Sequence, residues 1–478
     1  MRIGRAEKRT EKIVGVVAVV AVVLSGSSYW TGSRVEQEFR EGIAWAAGQG
    51  VAVSVVDYQR GVFGATARTD VVFQMPSLDD PSITESVTVP IVHEIRHGPL
   101  ATLTAAARIH SEAQATEDSA AYFDEIFGGD PFEGKAPLVI DTVIGWAGGR
   151  HSRIVSPKFE AVIKEDQTRV SWGGLNGELS VSSGFARQKA NIVMEGLSFF
   201  KSDEDMFQIG RLTLKADADR IEGFRFISVG TTDIVLDKFH FSGKSESGAV
   251  RRVELSNFHV VGEASVKDGA LGAEVKFDAG SIVTKGDAQE TVDGFRLVFS
   301  LENIDAKAYD AILQAVHDNE DPTPAMAAVF QEQSGILLQR KPVLLIKNAS
   351  GRWPEGMVTG SFRIAYAGDG NPEDMSISSL SGDLQMEVPR ALVIRHMSTQ
   401  VAERITDSLE DGEENEVNVE EETKKQVDKQ MAAMLAEGIF VEKADALTVD
   451  AHLQNGELNL NGKPKQIENL FKLIPPFF

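Results

Sequence analysis

The residue pattern with the clearest chemical meaning is His93-Glu94-Ile95-Arg96-His97, which matches the H-E-x-x-H signature of zinc peptidases. That chemistry needs two imidazoles one helical turn apart, with the glutamate placed to take a proton from zinc-bound water. The flanking residues disagree, because Val87 to Val92 have an extended pattern and Gly98-Pro99 ends any helix at His97. We therefore predict a strand without metal or other cofactor, and a structural His97 that donates to a backbone carbonyl.

Other catalytic signatures are missing from the sequence. It contains no G-x-S-x-G elbow, no phosphate loop and no dinucleotide-binding glycine motif. It also lacks cysteine, which excludes thiolate chemistry and disulfide bonds. The 71 acidic residues outnumber the 48 basic ones and give a formal net charge of -23, so nucleic acid is not expected as a partner.

The N-terminus predicts a membrane anchor. Residues 1–12 form a basic tail with five arginine or lysine residues, and residues 13–30 carry no formal charge. A helix of this length spans about 27 Å, close to the ~30 Å hydrocarbon layer of a bilayer. The positive-inside rule then places the tail in the cytoplasm and the remaining chain outside it. The alternative is a cleaved signal peptide, with Ser25-Gly26-Ser27 as the cleavage site.

Hydrophobic periodicity after the anchor predicts an α+β fold dominated by β-strands. We expect an elongated, mostly antiparallel sheet with helices packed on one side. The predicted regions are a juxtamembrane helix (31–50), a β-rich region with a helix near 100–127 (51–304), a helical cover with returning strands (305–389), an acidic helical region (390–440), and a C-terminal hairpin with an apolar tail (441–478). The acidic run 410–422 is interpreted as a solvated helix end or loop.

Strict alternation indicates how the strands are buried. Leu271 to Phe277 and Phe295 to Leu301 place apolar residues on one face and mostly polar residues on the other. Such a sheet must cover its apolar face with helices, a second layer, a partner or a hydrophobic ligand. Gly173-Gly174, Asn176-Gly177, Ser242-Gly243 and Asn455-Gly456 are predicted as turns between strands.

Four short motifs occur in order along the chain. They are Tyr29 to Gly32, Tyr58-Gln59-Arg60-Gly61-Val62-Phe63, His97-Gly98-Pro99, and Leu460-Asn461-Gly462-Lys463-Pro464. In order and spacing they resemble the YdgA-like family of bacterial inner-membrane proteins, a domain of unknown function. The resemblance implies an anchored periplasmic protein of Gram-negative bacteria. It also implies motif residues, which we interpret as structural: Tyr58, Arg60, Gly61, Phe63, His97, Gly98, Pro99, Asn461 and Gly462.

These features favour a non-enzymatic periplasmic protein that binds or scaffolds envelope components. If the apolar sheet face stays partly uncovered, lipid is the expected occupant. One alternative is a protein–protein scaffold or homodimer without lipid. The other is an envelope hydrolase that uses His97 or the pair His93 and His97.

Overall fold

The computed structural model describes residues 52–466 apart from 62–63, 77–83, 98–104, 245–249, 287–288, 320–321, 373–375 and 409–417, together with Glu36, Phe39, Arg40, Ile43 and Ala47. The predicted anchor, most of the acidic run and the apolar tail therefore lie outside the described residues. None of the described helices is long and apolar enough to cross a membrane. The chain divides into unit 1 (residues 1–224, 228–261 and 283–289) and unit 2 (residues 225–227, 262–282 and 290–478).

Unit 1 is built on antiparallel strands. Their bounds are β1 Val53–Arg60, β2 Gly64–Pro76, β3 Thr84–His97, β4 Ala107–Ala113, β5 Val139–Ile144, β6 Arg150–Ser156, β7 Phe159–Val162, β8 Arg169–Trp172, β9 Leu175–Val181, β10 Arg187–Met194, β11 Leu197–Ser202, β12 Asp205–Ile209, β13 Leu212–Arg220 and β14 Ser228–Lys244. The pairing order is β1-β2-β3-β4-β5-β6-β9-β10-β13-β14, and a branch β12-β11-β8-β7 starts from β14. The predicted β-dominated, antiparallel architecture is confirmed.

The core of unit 1 follows cross-strand rows on one face of this sheet. Tyr58, Ala67 and His93 are directly opposite one another on β1, β2 and β3, and the row continues through Ser111 and Ile140. The described residues of the predicted N-terminal helix are helical, and their apolar members Phe39 and Ile43 are buried in the same core. Their four-residue spacing places both side chains on one helix face.

The predicted helix over residues 100–127 is wrong in its first part. Ala107–Ala113 forms strand β4, whose alternate residues are buried, and only Glu117–Phe127 is helical (α1). The alanines fit the sheet because their small side chains pack in a core face at period two. α1 begins at a capping box made by Thr116 and Ser119, and Gly128 ends it with a positive φ of 82°.

Two predicted turns are also wrong. Asn176-Gly177 lies inside β9 and Ser242-Gly243 lies inside β14. Gly177 is directly opposite Ile154 and Ile192, and a Cβ added to it would lie 3.4 Å from both isoleucine side chains. This glycine therefore serves close packing across the sheet rather than chain reversal.

Two long strands, β15 Val250–Lys267 and β16 Ala270–Lys285, contribute residues to both units. The remaining elements of unit 2 are β17 Gln289–Asp305, α2 Ala306–Asp318, α3 Pro322–Gln339, β18 Val343–Trp353, β19 Gly356–Tyr366, β20 Leu380–Pro389, α4 Arg390–Ser408, α5 Val419–Ala436, β21 Val441–Lys443, β22 Ala446–Gln454, β23 Glu457–Leu460 and β24 Lys463–Lys465. Strands β17, β18, β19, β20 and β22 pair in that order and all antiparallel. The hairpin predicted around Asn455-Gly456 joins β22 to β23, which confirms it.

The core of unit 2 lies where α4 and α5 pack against β20, β22 and β23. Met397 and Val401 of α4 meet Val427 and Met431 of α5, and Leu447 of β22 is fully buried beneath them. Asn418 caps α5 by accepting a hydrogen bond from the Glu421 amide. The end of the predicted acidic run thus supplies the first turn of a helix, where carboxylates interact favourably with the helix dipole.

Candidate functional site

His93 lies in the middle of strand β3 and is completely buried. Its Nε2 is 2.9 Å from the hydroxyl of Thr69 and its Nδ1 is 2.9 Å from the hydroxyl of Ser111. The Phe39 ring meets the imidazole edge-on, with 5.1 Å between ring centroids. Burial lowers the pKa of His93 to about 3, so the ring is neutral and both its nitrogens are satisfied by hydroxyls.

The H-E-x-x-H residues are not gathered into one site. They lie on a strand, so His93 and His97 face the core while Glu94 is exposed on the opposite face. A glutamate on the other side of the sheet cannot take a proton from a water held between the two imidazoles. Across the ranges that the structure describes, no group of three or more His, Cys, Asp or Glu side chains is arranged to hold a metal ion.

His97 ends strand β3 and makes the predicted bond to a backbone carbonyl. Its imidazole hydrogen-bonds to the carbonyl oxygen of Gly64, and its Nε2 is buried with no partner in the described part of the chain. Burial lowers the pKa of His97, and the nearby Arg60 acts in the same direction. His97 is therefore a neutral donor with one ring nitrogen unused.

The glycine that accepts this bond directly follows the Tyr58–Phe63 motif in the chain. Gly61 donates its amide to the Gly64 carbonyl at 2.8 Å, which closes the turn between β1 and β2. A Cβ added to Gly64 would lie 2.5 Å from the Ile95 carbonyl oxygen, so only glycine allows the turn to approach β3. Gly61 and His97 thus meet at the carbonyl group of Gly64. Phe63, Gly98 and Pro99 lie outside the described residues.

Tyr58 connects the same motif to the N-terminal helical residues. Its ring lies 5.7 Å from that of Phe39, and its hydroxyl is buried without a hydrogen bond among the residues described here. Burial, followed by the charge of Glu36, raises the pKa of Tyr58 to about 12. The side chain therefore stays a neutral phenol, which suits a packing role.

The last motif also closes a turn, in unit 2. Asn461 and Gly462 have φ values of 51° and 79° and form the two-residue loop between Leu460 and Lys463. The Asn461 side chain accepts from the Asp450 amide at 2.8 Å and donates to the carbonyls of Gly438 at 2.9 Å and Ile439 at 3.0 Å. It therefore ties the end of the α5 region to the C-terminal hairpin.

Unit 2 also carries an apolar patch that the sequence pattern predicts. In one row Phe299, Ile346 and Phe362 are directly opposite one another on β17, β18 and β19, and in the next row Leu301, Leu344 and Ile364 are. We call these six residues the apolar patch. All six are half-buried, and none belongs to either buried core cluster.

The opposite face of the same strands carries ion-paired residues. Lys347 forms ion pairs with Glu274 at 2.7 Å and with Glu302 at 3.4 Å, and Arg296 pairs with Asp278. These residues alternate with the apolar ones along β16 and β17, so charged and apolar side chains leave the sheet on different faces. The alternation predicted along β17 places Arg296 and Glu302 on this face, which on β18 and β19 also holds the buried Val343 and Ala365.

Sequence reasoning missed the hydroxyl partners of His93. The contact with Ser111 is missed because the sequence analysis predicts a helix for this segment. The buried residues at every second position of β4, from Ala107 to Ala113, are nevertheless a strand signal. Thr69 has no such sequence signal, because its bond to His93 runs diagonally across β2 and β3.

The comparisons agree with the motif resemblance. The chain matches the family model described as "Bacterial protein of unknown function (DUF945)" over residues 7–468. "Protein YdgA" of Escherichia coli (strain K12) is 22% identical over 500 residues, which cover 95% of this chain and 94% of that protein. No solved structure gives a significant match. With nearly the whole chain matched, the protein belongs to the DUF945 family of bacterial proteins of unknown function.

Proposed function

We propose that this protein is a non-enzymatic, membrane-anchored periplasmic protein whose apolar patch binds the acyl chain of an envelope lipid. The observation that carries the proposal is the pair of aligned apolar rows on β17, β18 and β19. Aligned rows form a continuous strip along the direction that crosses the strands. An extended acyl chain can contact such a strip over its length.

The burial of apolar surface favours binding of a ligand to the apolar patch. Burying apolar surface contributes roughly 25 cal/mol per Å², so half-exposed Phe, Leu and Ile side chains leave several kcal/mol of burial unused. The ion-paired residues on the opposite face are satisfied in water and give no reason for that side to bind. A lipid on the apolar patch would remove surface that is otherwise an aggregation hazard.

The predicted anchor supports the same proposal. The five basic residues before the uncharged segment 13–30 predict a single-pass inner-membrane protein with its bulk in the periplasm. A body tethered there is continuously close to lipid. The tether thus raises the effective concentration of acyl chains around the patch.

Leu344 and Leu345 offer a matched test of the patch. They are consecutive leucines on β18 and are both half-buried, but Leu344 lies in the apolar row and Leu345 lies between Ser300 and Arg363 on the other face. A photocrosslinking amino acid is placed at either position of the full chain in living bacteria. The cells are irradiated, and the adducts on the protein are identified by mass spectrometry. Lipid adducts are expected at position 344 and not at position 345.

Other outcomes contradict the proposal. Equal adducts at both positions would mean non-specific contact with membranes, and protein adducts alone at 344 would favour the scaffold or homodimer alternative. Leu344→Asp should lower the amount of co-purified lipid while Leu345→Asp leaves it unchanged. Protease digestion of spheroplasts tests the topology separately, because a protected C-terminal half would contradict a periplasmic body.

A further inference from the structure

Three arginines lie at the end of the unit 1 sheet where the turn that begins at Gly61 meets His97. Arg60 and Arg96 line one cleft of about 470 Å³, whose other residues include Gly61, Gly64 and Glu94. Arg108 lies on β4, directly opposite Arg96 of β3. All three side chains are exposed.

No described residue neutralises these arginines through an ion pair. None of the three forms an ion pair or a side-chain hydrogen bond with any residue in the described ranges, whereas Arg187 on β10 pairs with Asp217 at 2.8 Å. Glu94 is on the same face as Arg96 but makes no ion pair with it. Like charges directly opposite on neighbouring strands are destabilising, so an anion bound near Arg96 and Arg108 would relieve their repulsion.

The backbone leaves room for that charge beside Arg96. Gly64 is directly opposite Arg96 on β2, so Arg96 has another arginine on one side and no side chain on the other. The close approach of Gly64 to Ile95 fixes this glycine in place. An anion above Gly64 would therefore lie beside Arg96, with Arg60 lining the same cleft and Arg108 on the far side of Arg96.

We propose that Arg60, Arg96 and Arg108 form a binding site for a phosphate group. Guanidinium forks bind phosphate oxygens in pairs of parallel hydrogen bonds, and a phosphate dianion matches several cations better than a single carboxylate does. The surrounding chain is strongly acidic, with a net charge of -23, so the cluster is a local exception to the surface charge. The site is in unit 1 and does not depend on the apolar patch.

Binding to the full chain in dodecyl maltoside tests the proposal with two probes. Radiolabelled inorganic phosphate is measured by equilibrium dialysis, and dihexanoyl phosphatidic acid by calorimetry below its critical micelle concentration, with dihexanoyl phosphatidylcholine as the zwitterionic reference. Binding of phosphate and phosphatidic acid indicates a general phosphate site, and binding of phosphatidic acid alone assigns the source to a lipid headgroup. Binding of neither, or equal binding of phosphatidylcholine, overturns the proposal.

Variants tie the binding to these side chains. R96Q/R108Q should weaken binding at least tenfold, R96K/R108K should restore part of it because the charge is kept, and R187Q should leave it unchanged as an ion-paired surface arginine. The substituted side chains are exposed, so the thermal unfolding midpoint of R96Q/R108Q should match or exceed that of the parent once the like charges are gone. Unchanged binding in a folded R96Q/R108Q protein would overturn the assignment.

Discussion

The imidazole of His97 hydrogen-bonds to the carbonyl oxygen of Gly64, and the same oxygen accepts the amide of Gly61. Through this one carbonyl, two motifs more than thirty residues apart in the chain become one structural unit. The strand end at His97 is thereby fixed to the β1–β2 turn. These contacts are of the kind expected for the structural role that we predict for Gly61 and His97.

Gly64→Ala should destabilise unit 1 by about 1–3 kcal/mol, because its Cβ would lie 2.5 Å from the Ile95 carbonyl oxygen and the strands would have to separate. Gly286→Ala is the control, since nothing lies within 4 Å of its added Cβ, and it should change the free energy of unfolding by less than about 0.5 kcal/mol. Hydrogen exchange of the β2 and β3 peptides measures the difference. Equal protection in both variants would contradict the close approach.

His93 predicts an acid-dependent loss of stability. Its pKa is about 3 in the folded chain and about 6.5 when unfolded, so between these values only the unfolded state binds the proton. The stabilisation is complete above pH 6.5 and decreases as the pH falls, by up to about 1.4 kcal/mol per pH unit. His93→Gln removes this titration, and the protection of β3 amides should therefore depend less on pH in the variant than in the parent. Identical pH profiles would contradict the assignment.

Asp310 should stabilise unit 2 more than a surface carboxylate does. This buried side chain accepts the amides of Arg225 at 3.1 Å and Phe226 at 2.8 Å, together with the Gln314 amide nitrogen at 2.7 Å. Asp310→Asn replaces one accepting oxygen by a donor and should lower the free energy of unfolding by about 1–3 kcal/mol. Asp318→Asn is the control, because its ion pair with the Arg225 side chain is exposed and should contribute less than about 1 kcal/mol. Hydrogen exchange of the α2 peptides in urea compares the two, and equal costs would contradict the anchoring role.

Sequence periodicity predicted the strands best where apolar and polar residues alternate over seven or more positions, as in Phe295 to Leu301. The periodicity gave wrong predictions where side-chain size rather than polarity determines the secondary structure. Alanines 105–107 are predicted as helical, although all three are buried outside any helix and Ala107 begins β4, and Gly177 is predicted as a turn, although it packs between two isoleucines. Local patterns contain no information on such neighbours, because these are brought together only by strand order.

The contacts of His93 and His97 could also be predicted only in part from the sequence. The extended conformation around His93 and the carbonyl bond of His97 follow from local sequence, since Gly98-Pro99 restricts the backbone there. The facing of Arg96 and Arg108 could not be predicted while β4 was interpreted as a helix. The division into two units could not be predicted either, because two of its boundaries fall inside the long strands β15 and β16 rather than in a linker.

Asn461 and Asn455 separate two contributions of the last motif. Both occupy the first position of an Asn-Gly turn with nearly equal φ, 51° and 52°, but only Asn461 uses its side chain, in three hydrogen bonds to the backbone of residues 438, 439 and 450. Replacing either asparagine by alanine therefore adds the same cost of a left-handed backbone. Asn461→Ala also leaves an amide and two carbonyls without partners, so it should cost about 2–4 kcal/mol more than Asn455→Ala in urea unfolding. An equal loss in both variants would mean that the motif requires asparagine for the turn alone, and not for holding α5 to the hairpin.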